Sequence, residues 1–264
     1  MQSNTVVEIL LPIAPKSIFL IDTLTSIVNQ SYRSWSIIAI VDKLDIETIS
    51  KVNKYIPSGQ LKILEVPANF NLPARLNAGL DICSAPFIAR VDADDTYSVE
   101  RISRQVEFLQ SSHNKDVGIV GTFGQIINER SLEVGEIKFA TSHQNIVKQM
   151  MYRNALIHPS VMFRKSSIGN FRYDENLITA QDYSLWLNII SNGVRLANIP
   201  EKLINYRVHQ SNSSKKKLGY RQIMQINYLR FLYVRKNLRF TSYFIFGFFA
   251  WSLRHLLFSP NHFK

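Results

Sequence analysis

Through its first hundred residues the chain alternates short, dense apolar runs with segments whose apolar residues recur at helical spacing, and that alternation leaves few folds open. Residues 6–11 form an apolar run interrupted by Glu8 and ended by Pro12. Residues 35–41 are rich in Ile and Val and end on Asp42; residues 61–66 and 87–91 repeat the pattern, the last running into Asp92. Between them, residues 20–30, 46–55 and 74–81 carry helical periodicity, the second stopped by Pro57-Ser58-Gly59. Strands alternating with helices predict an α/β fold, a central and mostly parallel sheet flanked by helices. In such sheets ligands bind beyond the carboxyl ends of the strands, where Asp42 and Asp92 both fall.

Farther along, residues 100–110 read as an amphipathic helix, 117–127 as a strand, 144–151 as a helix, 161–163 as a short strand, 182–190 as a helix and 196–206 as extended chain. A polar, basic loop is expected over 207–217 and one or two helices over 220–258. The expected organisation is one domain over 1–215, with a nucleotide-binding half to about residue 95 and an acceptor half over 96–215. A basic, aromatic helical tail follows over 216–264.

The chain can afford a sizeable core, since 46% of its 264 residues are hydrophobic. Its net charge of +11 favours polyanionic partners without choosing among nucleic acid, anionic lipid and phosphorylated substrates. Cys83 is the lone cysteine, which excludes an intrachain disulfide and suits a reducing compartment. No secretory signal is expected from the opening residues. The closest approach to a spanning helix, residues 243–257, is short of the roughly 20 residues required and contains Arg254 and His255.

Asp92, Asp94 and Asp95 crowd three carboxylates just past a strand. Adjacent carboxylates resist joint ionisation unless a cation sits among them. Hard ions such as Mg²⁺ or Mn²⁺ take oxygen ligands and are commonly shared with substrate phosphates. An isolated Asp-x-Asp equally suits a solvated turn capping the next helix.

The string Phe87-Ile88-Ala89-Arg90-Val91-Asp92-Ala93-Asp94-Asp95 closely resembles the signature of bacterial family 2 inverting glycosyltransferases of the GT-A fold, the type found in exopolysaccharide, capsule and lipopolysaccharide assembly. The likeness continues through Arg101 and Gln105 of ERISRQVEFL. Upstream, SIVNQSYRSWSIIAIVD and NLPARLNAGL resemble the family's first helix and second strand and its sugar-nucleotide segment. Downstream, HPSVMFRKS, AQDYSLWLNI and YRVHQSNSS match the acceptor half and closing segment. The matches run in order over roughly residues 5–215.

The resemblance implies a nucleotide-diphosphate sugar donor, a UDP-sugar in the first instance, and a glycan or lipid-linked acceptor. On the donor side it implies Asp42 at the uracil or ribose, Pro12 and Ile13 as a backbone edge facing the base, and Arg75, Asn77, Arg90, Asp92 and Arg207 as further donor contacts. Gly79 falls at a close-approach glycine of the family. Asp92, Asp94 and His209 are the expected ligands of Mn²⁺ or Mg²⁺, with Asp95 capping the following helix. Asp182 is the expected general base, taking a proton from the acceptor hydroxyl. His158, Gln181 and Trp186 are expected around the acceptor, Trp186 as core or as a sugar-stacking platform. The chain departs from the family where Lys43 follows Asp42, where Ala14-Pro15 replaces a Tyr-Asn pair, and where Gln181 replaces a glutamate.

The interleaved aromatic and basic residues of the tail suit a bilayer interface, and imply peripheral binding to the cytoplasmic leaflet of the plasma membrane by a cytoplasmic enzyme. Packing of the tail on its own domain or on a partner is the alternative. Two other functions stay open. A nucleotidyltransferase would share the sheet, but a glycine-rich loop after the first strand is missing. A polyanion-binding protein would explain the charge but not Asp42, Asp92, Asp94 and Asp182, and no nucleic acid is expected.

Overall fold

The computed structural model describes residues 6–209 and 220–236. Four strands form its parallel half: β1 (Val7–Pro12), β2 (Trp35–Asp42), β3 (Leu61–Val66) and β4 (Phe87–Arg90). They are linked by α1 (Leu20–Val28), α2 (Ile46–Tyr55) and α3 (Leu72–Ile82). All six residues of β1 are buried, as a central parallel strand covered on both faces requires. Its side chains divide by the period of two. Leu10 joins Ile38, Ile40 and Ile88 in one core layer, while Val7, Ile9 and Leu11 join Ile37, Ala39 and Val41 in the other. Glu8, the interruption in the first run, is buried because its carboxylate accepts from the N–H groups of Ser84 at 2.6 Å and Ala85 at 2.8 Å.

Helix α3 begins before the expected residue 74. Asn71 caps it by accepting from the Ala74 N–H at 3.0 Å, and Pro73 sits in the first turn. Gly79 lets α3 lie close on the sheet: a Cβ there would stand 2.3 Å from Leu10 Cδ1 and 2.6 Å from Ile40 Cδ1.

The second half is mixed rather than parallel. It contains β5 (Thr96–Tyr97), α4 (Arg101–Gln110), β6 (Val117–Ile127), β7 (Glu133–Ile137), α5 (His143–Met150), β8 (Met162–Arg164), α6 (Lys165–Ile168), α7 (Gln181–Ser191) and β9 (Arg195–Arg207). The sheet order is β3-β2-β1-β4-β8-β6-β9-β5, with β7 on β6. Strand β8 is antiparallel to both β4 and β6, and β9 returns parallel to β6. Residues 207–209, expected in a loop, end β9 and continue from it; the rest of that loop lies outside the described residues.

Helix α8 (Tyr220–Lys236) packs against α7, burying Ile223, Ile226, Tyr233 and Val234 in the layer that holds Trp186 and Leu76. The start of the expected tail is thus part of the domain core. Its remainder lies outside the described residues. No helix among the described residues is long and apolar enough to cross a membrane.

The chain runs outward from β1 through β2 to β3, then returns to lay β4 on the other side of β1. Where the strand order reverses, between the carboxyl ends of β1 and β4, such a sheet places its ligand crevice. The acidic cluster follows β4 directly into it.

Candidate active site

On the donor side Pro12, Asp42 and Arg75 meet at one edge of the sheet. Pro12 stands in register with Ile40, and the Ile13 N–H donates to the Ile40 carbonyl at 2.9 Å. Arg75 on α3 reaches that edge, Nη1 lying 3.4 Å from the Ile13 carbonyl, while Nε donates to the Phe70 carbonyl at 3.0 Å. Asp42 ends β2 and accepts from the Leu44 N–H at 2.9 Å, so the turn through Lys43 is fixed by the side chain expected at the nucleoside. Asn77 does not face this edge freely. Its carboxamide accepts from the Tyr173 N–H at 2.8 Å and donates to the Tyr173 carbonyl and to Glu175, each at 2.9 Å. It clips the acceptor half onto α3.

Ligand atoms of Asp92, Asp94 and Asp95 lie within 4.8 Å of one another. Arg90, almost fully buried at the end of β4, pairs with Asp92 Oδ1 at 2.5 Å. Burial pushes the Asp92 carboxyl above the ordinary carboxylate range; Arg90 pulls it back, and Asp94 and Asp182 push it up. Asp182 is therefore within electrostatic reach across the crevice. The Asp94 carboxylate meets His209 Nε2 at 2.8 Å, which places the expected third metal ligand beside the second. Tyr97 fixes the loop's start: its hydroxyl accepts from the Asp92 N–H at 2.7 Å and donates to the Asp92 carbonyl.

Two expectations for this loop are corrected. Asp95 does not cap α4, whose N-terminus lies beyond β5 and has the Ile102 N–H donating to Gln30 Oε1 at 3.0 Å. It is buried, accepts from the Arg207 N–H at 2.8 Å, and leaves Oδ2 with no hydrogen bond among the described residues. Burial, with Asp94 and Asp92 beside it, holds this carboxyl well above the usual range. Arg207 does not present its guanidinium to a diphosphate. It is 1% exposed, and its nitrogens donate to the carbonyls of Asp94 (2.9 Å) and Asn128 (3.2 Å), to Ser131 Oγ (2.9 Å) and to Asp22 (3.2 Å), with Phe19 4.2 Å away. It braces the acidic loop from behind.

On the acceptor side Asp182 occupies the first turn of α7, partly exposed, and accepts from Asn154 Nδ2 at 2.7 Å. Burial raises its carboxyl above the ordinary range, while the Tyr183 N–H, Asn154 and Arg90 favour the ionised form. The residue entering the helix, Ala180, has φ of +57°, which costs a non-glycine residue about 1–3 kcal/mol. Gln181 is buried at the helix start beside it. His158, in a 3-10 turn over His158–Ser160, meets the Tyr173 hydroxyl at 2.8 Å. Burial and the nearby Arg90 hold the imidazole well below its usual range, so it is neutral at pH 7. Of the two readings of Trp186, the structure takes core. It is 0% exposed, edge-on to His158 at 5.9 Å and tilted on Phe163 at 5.8 Å, and it offers no face to a sugar.

Sequence reading did not identify Tyr97, Asn154 or Tyr173, which touch the expected site residues from 5, 28 and 15 positions away. None belongs to a local pattern. Arg101 and Gln105, which continue the family resemblance, have a structural task. Arg101 donates to the Arg90 carbonyl at 2.8 Å, and Gln105 donates to the carbonyls of Ser160 (2.8 Å) and Val120 (3.1 Å). They tie α4 under the crevice.

The model of the family described as "Glycosyl transferase family 2" matches residues 12–176. Among curated proteins, the O-antigen biosynthesis glycosyltransferase WbnJ of Escherichia coli is 30% identical over 224 residues, covering 83% of this chain and 86% of the relative. The UDP-Gal:alpha-D-GlcNAc-diphosphoundecaprenol beta-1,3-galactosyltransferase of E. coli is 28% identical over 200 residues, 75% of this chain and 72% of the relative. A crystal structure of S. aureus TarS in complex with UDP-GlcNAc superposes with a TM-score of 0.75 at 14% identity, over 97% of this chain and 74% of that one, a likeness of fold. On the family match over residues 12–176 and the 30% identical relative, the chain belongs to glycosyl transferase family 2, with the GT-A fold.

Proposed function

We propose that the chain is an inverting, metal-dependent glycosyltransferase that moves a sugar from a nucleotide diphosphate, a UDP-sugar, to a hydroxyl of a glycan or lipid-linked acceptor in surface polysaccharide synthesis. The observation that carries this reading is the pairing of two acidic groups across one crevice. Asp92 and Asp94 follow β4, and Asp182, held by Asn154, lies close enough to act electrostatically on Asp92. The UDP-sugar is supported by the donor named for the E. coli galactosyltransferase and by the UDP-GlcNAc held by TarS. The lipid-linked acceptor is supported by the diphosphoundecaprenol in the former's name.

The donor set suits Mn²⁺ or Mg²⁺. It is made of hard carboxylate oxygens close enough to share one ion, and a buried Asp95 oxygen has no hydrogen bond among the described residues. Asp92 and Asp94 would hold the ion with His209 at its edge, and it would supply charge stabilisation to the departing diphosphate. The chain's own groups do the rest. The sheet edge at Pro12, Asp42 and Arg75 receives the nucleoside. Arg90 holds Asp92 in place. Asp182 takes the acceptor proton as the hydroxyl attacks the anomeric carbon from the face opposite the diphosphate, so one base suffices and the configuration inverts. His158 and Gln181 line the acceptor side, and neutral His158 fits uncharged hydroxyls.

Thermal stabilisation by UDP-Gal, UDP-Glc, UDP-GlcNAc and GDP-mannose, each with and without Mn²⁺, tests the reading. At least one UDP-sugar is expected to raise Tm only with Mn²⁺, and Asp94→Asn is expected to abolish the rise. Stabilisation by none of them, or equal stabilisation in Asp94→Asn, would overturn it.

The same reading places the enzyme at the cytoplasmic leaflet. On α8 the exposed residues Met224, Tyr228, Phe231 and Arg235 recur at helical spacing along one face, and the basic, aromatic sequence continues past it. Flotation with anionic vesicles is expected to carry the full chain but not a chain ending at Lys236. Equal flotation of both would sink the role of the distal tail.

A further inference from the structure

Two buried polar side chains have no part in the chemistry above, yet both converge on its base. Tyr183 follows Asp182 and turns into the core, where its hydroxyl donates to the Met150 carbonyl at 2.5 Å. Arg230 of α8 is 0% exposed. Its Nε donates to the same hydroxyl at 3.0 Å, Nη2 donates there as well, and Nη1 donates to Asn227 Oδ1 at 3.1 Å. Four residues past Met150, Asn154 makes the hydrogen bond to Asp182. Between them Gln149 donates to the Asn154 carbonyl at 3.2 Å and accepts from the Ala140 N–H at 3.1 Å. A closed ring of contacts therefore runs from Asp182 to Asn154, back through residues 149–150 to Tyr183, and returns to the residue beside Asp182. Arg230 fills its rear.

Helix α8 reaches the segment leading to the base at two further points. Gln225 Nε2 donates to Asp174 at 2.6 Å, and Thr179 Oγ1 donates to Gln222 at 3.3 Å. With the Arg230–Tyr183 contact beyond it, they hold the chain on both sides of Ala180, whose strained backbone persists only where its surroundings over-determine it. Packing alone does not require an arginine here, because a buried cation loses its hydration and an apolar residue of similar volume fills such a space at lower cost. What the guanidinium adds is direction.

We propose that Arg230 and Tyr183 are positioning residues that hold the Asp182–Asn154 pair in register with the donor crevice, making α8 a working part of the acceptor site. The proposal rests on Asp182 being the base. A general base must sit within hydrogen-bond reach of the proton it takes, and misplacement by about 1 Å can cost on the order of 100-fold in rate.

The test uses the full chain with Mn²⁺ and whichever nucleotide sugar of the panel above turns over fastest, reading nucleotide release to water. Arg230→Met and Tyr183→Phe are expected to lower kcat about 10- to 100-fold while leaving donor KM unchanged, and Arg230→Lys, which keeps a donor toward the hydroxyl, is expected to recover most of the loss. Amide exchange at Tyr183, Ser184 and Leu185 is expected to quicken in Arg230→Met, a readout independent of turnover. Wild-type kcat in both Arg230→Met and Tyr183→Phe overturns the proposal when Asp182→Asn is inactive; so does a rise in donor KM matching the fall in kcat, or unchanged exchange. Wild-type turnover by Asp182→Asn would instead overturn the base itself.

Discussion

The two halves of the domain are held by different means. In the half built on β1 to β4, parallel strands alternate side chains between two apolar layers, and the site is the edge where those strands stop. In the half from β5 onward the sheet is mixed, strands are short or bent, and buried polar side chains hold the pieces. Asn198 donates to the carbonyls of Ala140 and Ala155, Ser160 Oγ accepts from the Thr122 N–H, and Gln105 bridges β6 to the turn before β8. The first half offers a platform that tolerates change wherever volume is kept. The second offers aimed groups, each dependent on a partner distant in sequence.

On that contrast the largest effect is expected at the proposed base. Asp182→Asn is expected to lower turnover about 10³-fold, near 4 kcal/mol of transition-state stabilisation, with nucleotide affinity in a binding titration unchanged. Arg207→Met tests the join between halves. Losing its bonds to the acidic loop and to Asn128 is expected to cost about 3 kcal/mol in chemical denaturation and to weaken Mn²⁺-dependent nucleotide binding; an effect on stability alone would confine Arg207 to the scaffold. Gly79→Ala strikes the platform itself. Its Cβ would meet Leu10 and Ile40 side chains, so about 1–3 kcal/mol of stability should go, with kcat retained in the folded fraction. Loss of kcat as well would blur the division between halves.

Asn154→Ala gives the smallest and most specific effect. As the proposed base, Asp182 would work only when ionised, so rate is expected to fall as pH drops through its pKa, which burial places above the ordinary carboxylate value. Asn154 favours the charged form, so its removal raises that pKa and moves the acid limb of the kcat profile to higher pH. A limb that stays in place would detach Asn154 from the base.

The contrast also explains what the sequence displayed. The parallel half was legible because periodicity encodes it: residues 35–41 and 87–91 were read within a residue of β2 and β4, and the acidic loop fell at the strand end where the fold puts its crevice. Roles that rest on a polar side chain's aim were not legible. Arg207 resembles a donor contact by position, but the turn at Asn128 and Ser131 and the carboxylate of Asp22, from two distant places, capture its guanidinium. Trp186 shares a helical face with Asp182 by spacing, yet Phe163 and His158 close over it. Strand β7 escaped notice because four of its five residues are exposed and carry no apolar alternation; the hairpin is set instead by Asn128, which accepts from the N–H groups of Arg130 and Leu132. Asn154 and Tyr173 are ordinary residues until the chain folds them against Asp182 and His158.

The bond from the Arg207 N–H to Asp95 joins residues 112 positions apart, and His209 meets Asp94 across 115. During synthesis, β1 to β4 can pair long before the ribosome has made either partner, and domains fold as their chain emerges. The acidic loop then waits, unbraced and with its carboxylates opposed, until the last strand arrives. Catalytic competence is therefore a late event in the birth of this molecule, gated by its closing segment.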